Sequence, residues 1–564
     1  NYDLSSLLTK GLSVHGSIAY DSYYYSRKKY SKTFPYYLAR RDAEDPDYIY
    51  LIPQSEESIW SVSTGWDKNR KVYMEFGIDY NRTFGLHKTT ALILYNQSKY
   101  YSPSLQYYVP NAYQGLVGRL TYEYASRYLA EFNMGYNGTE NFAKGKRFGF
   151  FPAVSLGWVI SEEKFFPKNN IVKYLKVRGS YGEVGNDQIG GDRFLYLPSS
   201  YGAASDSGVN KYNFGLASNP YTSLMIVENK IGNPDLTWEK AKKMNVGVDI
   251  NLFNNCLTAS FDIFKEKRNN ILANRSTSPM IIGANLPAYN FGEMENRGWE
   301  MDLNFRHHIQ DFHYWARFNY SFARNEIIYM DEVQKRYDYQ MTTGRRKNQF
   351  FGLIFDGYYN SWEEINALDR PKSSWSGNQL QPGDVKYIDV NQDGVIDDYD
   401  MVPIGYTPVP EIIYGFSFGA QYKGFDFSIL FQGADNVSIK YFGRSMWPFA
   451  KGEESAKSLI KERWTQERYE AGEKITFPRL SLNPNGETDH NYRPSTLWIR
   501  DASYLRLKNL EVGYTFTGGF VKRHNLNSVR LYFNGSNLFT WTDVVELDPE
   551  APSRSGNVEI NTYP

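Results

Sequence analysis

A single cysteine, Cys256, is all the thiol chemistry in the 564 residues. No internal disulfide and no cysteine-based metal site can be built from it, and it reads as a bystander buried in a strand. Net charge is missing too. The 63 Lys and Arg balance the 63 Asp and Glu, so the basic excess of a nucleic-acid binder is absent. No run of about 18 apolar residues occurs, which excludes a membrane-spanning helix. The opening Asn1, Tyr2, Asp3 and Leu4 offer neither a basic nor an apolar leader segment. The expectation is that a leader was removed or that the chain begins inside a longer protein. No Gly-rich phosphate loop, nucleophile elbow or Ser/His/Asp arrangement stands out, so the chain does not read as an enzyme. Its many carboxylate pairs do not by themselves indicate glycosidase spacing.

Aromatic side chains are abundant: 48 Tyr, 35 Phe and 12 Trp, or 17% of the chain, in a sequence of mean hydropathy -0.57. That combination suits a membrane barrel with Tyr and Trp belts at two interfaces, or an aromatic-lined glycan site. The strongest pattern has period two, the strand period. Leu116, Gly118, Leu120, Tyr122 and Tyr124 fall on one face, and Arg119, Thr121 and Glu123 on the other. After Ala125-Ser126-Arg127 the alternation resumes, with Tyr128, Ala130, Phe132, Met134 and Tyr136 against Glu131, Asn133 and Asn137. Segments 243–251 with 256–264, 299–306 with 314–322, and 411–422 with 425–433 repeat it. A soluble sandwich accounts for one such hairpin. Lipid outside and a polar lumen inside account for all of them.

Roughly fifteen strands of about ten residues follow from this template, beginning near 11, 71, 89, 114, 128, 150, 174, 241, 256, 298, 312, 411, 425, 503 and 528. The connections alternate between long and short, with long ones near 22–70, 185–240, 325–410 and 435–502. Such alternation marks an outer-membrane barrel with long extracellular loops and short periplasmic turns. On this reading Leu120, Tyr122, Phe132, Met134, Phe318, Tyr320, Phe427 and Ile429 face lipid. Arg119, Glu131, Asp249, Asp262, Arg317 and Asp426 face the lumen. The segment from about 537 to Pro564 reads as a loop. An open sheet is not tolerated in lipid, so further strands are expected on both sides of residues 1–564.

Several segments then point to a family. They are F-P-A-V-S-L-G-W-V-I-S-E-E-K-F-F (151–166), L-K-V-R-G-S-Y-G-E-V-G-N (175–186), G-N-P-D-L-T-W-E-K (232–240), G-D-V-K-Y-I-D-V-N-Q-D-G-V-I-D-D-Y-D (383–400), I-G-Y-T-P-V-P-E-I-I-Y-G-F (404–416), N-L-F-T-W-T (537–542) and L-D-P-E (547–550). In this order, over nearly the whole chain, they resemble SusC-like TonB-dependent outer-membrane transporters. The resemblance implies an all-β, transmembrane antiparallel barrel of about 22 strands around a plugged lumen, with residues 1–564 as a partial barrel domain. It also implies active import of glycans or peptides, energised by TonB, with a SusD-like surface lipoprotein closing over the outer loops. The plug, the TonB box, about six first strands and the closing strand are then outside this sequence. The competing readings are a passive porin and a soluble glycan-binding or glycan-active β-propeller, but no blade period appears.

The sharpest chemical motif lies in 389–400. Asp389, Asn391, Asp393, the Val395 carbonyl, Asp397 and Asp400 fit the calcium-loop template, with Gly394 at the tight turn. Position twelve is Asp400 rather than Glu, so a bidentate contact is less assured, and no helical pattern flanks the loop. Calcium is the expected cofactor. Trp238-Glu239-Lys240 reads as a strand-entry anchor, and His307-His308 as a solvated turn. Tyr23-Tyr24-Tyr25 and Tyr36-Tyr37, with Arg27, Lys28, Lys29, Arg40 and Arg41, read as an external loop suited to packing, sugars or anionic lipopolysaccharide.

Overall fold

A computed structural model describes residues 2–3, 9–41, 44–45, 49–188, 193–198, 202–203, 211–216, 221–224, 226–227, 231–277, 286–375, 380–441, 446–449, 458–481, 489–544 and 547–550. Fifteen long strands form one antiparallel meander in which each pairs with its sequence neighbours. They are β1 (Leu12–Ser31), β2 (Ser61–Phe84), β3 (His87–Tyr101), β4 (Asn111–Tyr124), β5 (Tyr128–Thr139), β6 (Phe148–Val159), β7 (Val172–Asn186) and β8 (Glu239–Leu252). Then come β9 (Leu257–Ala273), β10 (Tyr289–Ile309), β11 (Phe312–Tyr329), β12 (Ile412–Tyr422), β13 (Phe425–Asp435), β14 (Tyr504–Phe516) and β15 (Val529–Thr542). A two-residue strand, Tyr2–Asp3, pairs with the start of β1. Among the described residues no pairing joins the two ends of this sheet.

Thirteen of the fifteen strands begin within about three residues of where the alternation places them, while β2 and β10 begin earlier, at Ser61 and Tyr289, and most strands are longer. The first long connection is shorter than 22–70: β1 continues to Ser31 and β2 starts at Ser61, and the connection between them carries a small hairpin of Tyr37–Arg41 with Ile49–Pro53. At the other end β15 runs through Thr542, so Asn537 to Thr542 belong to a strand; residues 551–564 lie outside the described set. Cys256 sits half-buried in the turn before β9, rather than buried within a strand. His307 and His308 close β10 instead of forming its turn, and His308 stacks on His313 at 5.5 Å between centroids.

Register decides the faces, because directly opposed residues of an antiparallel pair share one side. Leu120 opposes Phe132, Met134 opposes Gly118, and Tyr122 opposes Ala130. Phe318 opposes Leu303 and Phe416, Tyr320 opposes Met301 and Tyr414, Phe427 opposes Val512, and Ile429 opposes Phe418. The other side joins Arg119 to Asn133, Glu131 to Thr121, Asp249 to Ser260, Asp262 to Glu300, Arg317 to Asn304 and Asp426 to Gln421. The two sets therefore occupy opposite faces, as the alternation requires.

The apolar face is bare. Leu156 is 62% exposed, Val246 58% and Ile263 56%, with Tyr122, Phe132 and Trp158 beside them. An uncovered apolar surface of this extent is incompatible with water, and lipid satisfies it. The buried apolar residues lie elsewhere. The largest cluster, including Leu353, Val385, Tyr441, Phe477 and Trp498, is drawn mainly from the long connections after β11 and β13. Those connections fold into a crown with its own core at one end of the sheet. The opposite end carries the short turns at 85–86, 125–127, 253–256, 310–311 and 423–424. Phe132→Arg is expected to destabilise the barrel by about 2–4 kcal/mol, and Asn133→Arg, on the other face, by clearly less. Denaturant titration of the protein refolded in lipid measures both.

Candidate functional site

The polar face carries ion pairs that run across strands. Arg178 on β7 donates from Nη1 and Nη2 to Asp262 at 2.7 and 2.8 Å, and from Nε to Asp249 at 3.1 Å. Ser260 Oγ donates to Asp249 at 2.9 Å. Gly247 lies beneath the guanidinium. A Cβ there would stand 2.7 Å from Arg178 Cζ and 2.5 Å from Asp262 Oδ1, so glycine permits the arginine to lie across β8. On β4 and β5, Arg119 pairs with Glu131 at 2.9 Å, and Asn133 donates to the same oxygen. Arg530 of β15 bridges Asp426 and Glu511. Nearer the long connections, Glu266 pairs with Lys243 at 3.3 Å and Arg268 at 2.9 Å. Most of these cations thus face one or two carboxylates, which leaves the wall polar but without a large field of one sign.

Salt bridges also fasten the crown to the sheet. Glu411, 5% exposed, accepts from Arg324 at 3.0 and 2.8 Å, from Arg346, and from Asn436 Nδ2 at 3.2 Å. Arg506, buried on β14, donates to Asp548 at 2.6 Å and Glu550 at 2.8 Å. These last are the carboxylates of the L-D-P-E segment, which draw the chain after β15 back over the sheet. Trp238 does the anchoring expected of it. It is buried against Phe142 and Phe151, and its indole N–H donates to the Arg147 carbonyl at 3.2 Å.

Inside the crown, Asp384 forms an ion pair with Arg479 at 2.6 Å, accepts from its Nη2 at 3.4 Å and accepts from Asn491 Nδ2 at 2.8 Å. His490 Nε2 lies 2.7 Å from the Val385 carbonyl, and Nδ1 lies 3.0 Å from Ser373 Oγ. A carbonyl only accepts, so Nε2 carries a proton and the neutral ring can take the serine hydroxyl on Nδ1. Burial pushes the His490 pKa below the ordinary imidazole range.

The acidic turn is wired largely to itself. Asp389 Oδ2 accepts from Gly394 N at 2.8 Å, Asn391 Oδ1 from Asp393 N at 3.0 Å, and Asp393 Oδ1 from Val395 N at 3.0 Å. Asp397 accepts from Tyr399 N at 2.7 Å. Asp400 is wholly buried and spends both oxygens on backbone, accepting from Val390 and Asn391 on one and from Asp397 on the other. Burial raises its pKa, while those amides pull it down. Gly394 adopts φ 81°, as the tight turn demands, and Gln392 also lies in the left-handed region at 58°. Tyr339 and Gln340 donate to the carbonyls of Tyr399 and Asp398, pinning the turn to its neighbour. Among the described residues no group of three or more His, Cys, Asp or Glu side chains is arranged to hold a metal ion. One buried oxygen of the turn, Asp389 Oδ1, has no hydrogen-bond partner.

Comparison with known proteins places this geometry. Residues 1–538 match the family model described as TonB dependent receptor-like, beta-barrel. The chain belongs to that family. It is an outer-membrane β-barrel, of a family of receptors and transporters rather than enzymes. It is 29% identical over 450 residues to TonB-dependent receptor P3 of Formosa agariphila, covering 78% of this chain and 42% of the relative. With TonB-dependent receptor SusC of Bacteroides thetaiotaomicron it shares 28% over 464 residues, covering 81% of this chain and 43% of SusC. The chain therefore spans about two-fifths of the length of the curated relatives it matches. The structure of the RagAB peptide transporter shares the fold at a TM-score of 0.68 and 19% identity, over 95% of this chain and 57% of that one.

Of the residues proposed from sequence, those of 389–400 come together in one turn. Asp249 and Asp262 meet on one arginine that the alternation does not single out, although Arg178 stands in the quoted 175–186 segment. Glu411 stands in the quoted 404–416 segment, but nothing in the sequence joins it to Arg324 and Arg346, since their meeting depends on how the crown seats. The Arg41 side chain lies outside the described residues.

The crown should respond to pH through His490. Because its folded pKa is lowered, the unfolded crown takes up a proton that the folded one refuses. Its contribution is intact above the ordinary imidazole pKa of about 6.5 and is lost as pH falls through that range. Half-buried Asp489, whose pKa desolvation raises, acts in the opposite sense. Protection of amides 384–388 against hydrogen exchange, relative to their intrinsic rates at each pH, should fall as pH drops from about 7.5 to 5.5, and His490→Gln should remove most of that dependence.

Proposed function

We propose that the protein imports oligomeric nutrients, oligosaccharides or peptides, across the outer membrane. TonB supplies the energy, and a SusD-like lipoprotein seats on the crown. The family match carries this reading. Two features support it: a polar, charge-compensated inner wall that offers passage without bond chemistry, and long connections folded into a surface on one end only. The fifteen strands are read as the larger part of a barrel of about 22, whose lumen a plug elsewhere in the protein closes. Uptake should vanish in cells lacking TonB, whereas a passive porin would keep it. Extraction of the native protein should bring a lipoprotein with it, through an interface of roughly 1,000 Å² or more. Uptake without TonB, or purification without a lipoprotein, would count against the respective part.

The acidic turn adds a calcium site to the proposal. Asp389, Asn391, Asp393 and Asp397 would supply side-chain oxygens and Val395 its carbonyl. The buried, unpartnered Asp389 Oδ1 supports this. Asp400, with both oxygens committed to backbone, shapes the loop rather than ligating. Bound calcium would steady the surface that meets the lipoprotein. Chelation should then strip about one calcium per protein and speed proteolysis of this loop. If neither responds, the turn is held by its own hydrogen bonds alone.

A further inference from the structure

The hairpin of β1 and β2 outgrows the sheet. Its third partner, β3, ends its pairing with β2 at Arg70 and Tyr101. β1 and β2 continue as a pair from Tyr23 and Asn69 to Ser31 and Ser61. No third strand joins them there among the described residues. That leaves a two-stranded ribbon of about 30 Å, on the side of the long connections, and two strands alone are marginally stable in water.

Its two faces differ in charge. The face that continues the polar wall presents Tyr23, Tyr25, Arg27 and Lys29 opposite Asn69, Asp67, Gly65 and Ser63. The face that continues the lipid-facing band has no carboxylate. It carries Tyr20, Tyr24, Lys28 and Tyr30 on β1, with Arg70, Lys68 and Trp66 opposite Ser22, Tyr24 and Ser26. Tyr24 is 70% exposed and Trp66 62%. Lys68 Nζ lies 5.3 Å from the Trp66 ring centroid, and the Arg70 guanidinium 4.7 Å from that of Tyr101. Below them on the same face, Ile18, Met74 and Phe76 begin the apolar band.

We propose that this outward face binds the phosphorylated sugar headgroups of the outer-leaflet glycolipid, lipopolysaccharide. Position and chemistry both select it. Moving outward along one face, the surface passes from apolar side chains through aromatic rings to cations without an acid. A membrane surface of acyl chains, sugar rings and phosphates presents the same sequence. Aromatic faces stack on sugars, and Lys and Arg meet phosphate oxygens. The proposal rests on the orientation that puts the long connections outside, and on nothing about cargo or TonB.

The test compares two triple variants of the full-length protein purified in detergent. Lys28→Gln, Lys68→Gln and Arg70→Gln together strip the outward face. Arg27→Gln, Lys29→Gln and Lys71→Gln remove equal charge from the other. Binding of purified lipopolysaccharide, read by native mass spectrometry, should fall about tenfold or more in the first and stay near wild type in the second. Dephosphorylated lipopolysaccharide should bind wild type as weakly as the intact glycolipid binds the first variant. Equal binding by the first variant, equal loss in both, or undiminished binding of the dephosphorylated form would each overturn the assignment. Unchanged TonB-dependent uptake in the first variant would leave the transport reading standing alone.

Discussion

In the hydrocarbon of a membrane a peptide N–H or C=O has no water to bond, and every such group must find a partner within the protein. Helices of sufficient length and apolarity are absent among the described residues, so strands meet that demand. The consequence is strict. Side chains must alternate between lipid and lumen at every residue, and a slip by one would turn each charge outward. The pairing keeps parity through fifteen strands, and its irregularities fall mostly near strand ends, as between Val172 and Tyr174 or Arg268 and Ile271. The shift between Leu507 and Asn509 lies within β14. It leaves Lys508 out of register and free to pair with Glu550 at 2.8 Å.

The same alternation concentrates charge on the inner wall, where it must be managed. A half-shielded carboxylate beside another is costly, and Arg178 between Asp249 and Asp262 removes that cost with a planar fork of donors. Glycine contributes by absence: Gly247 leaves the space the guanidinium occupies. Compensation of this kind gives a wall that is polar yet carries little net field of either sign.

Beyond the membrane the chain obeys the rules of a water-soluble domain. Apolar residues withdraw inside, and Trp498 stacks on Tyr492 and meets Phe477 edge to face. Buried Asp384 finds hydrogen-bond donors in Asn491 and Arg479. Two solvents thus act on one sequence, and the junction between them is where Glu411 gathers its two arginines. Asp400 belongs to the watery regime. In isolation it reads as the last ligand of a metal loop, yet its oxygens close that loop's backbone.

Alternation, turn spacing and aromatic load are local properties, and each strand's solvent is written into its own residues. The order and approximate positions of the strands, both faces of the sheet and the alternation of connections were therefore determined by the sequence alone, and so were the motifs of the family. Tertiary structure decided what depends on distance along the chain. Arg178 reaches Asp262 across 84 residues, and Arg324 reaches Glu411 across 87, because register and crown packing bring them together. It also decided that Tyr23 to Tyr25 stand in a ribbon instead of a loop. Exposed residues rich in Tyr, Lys and Arg suit either, and only the pairing of β1 with β2 selects the strand.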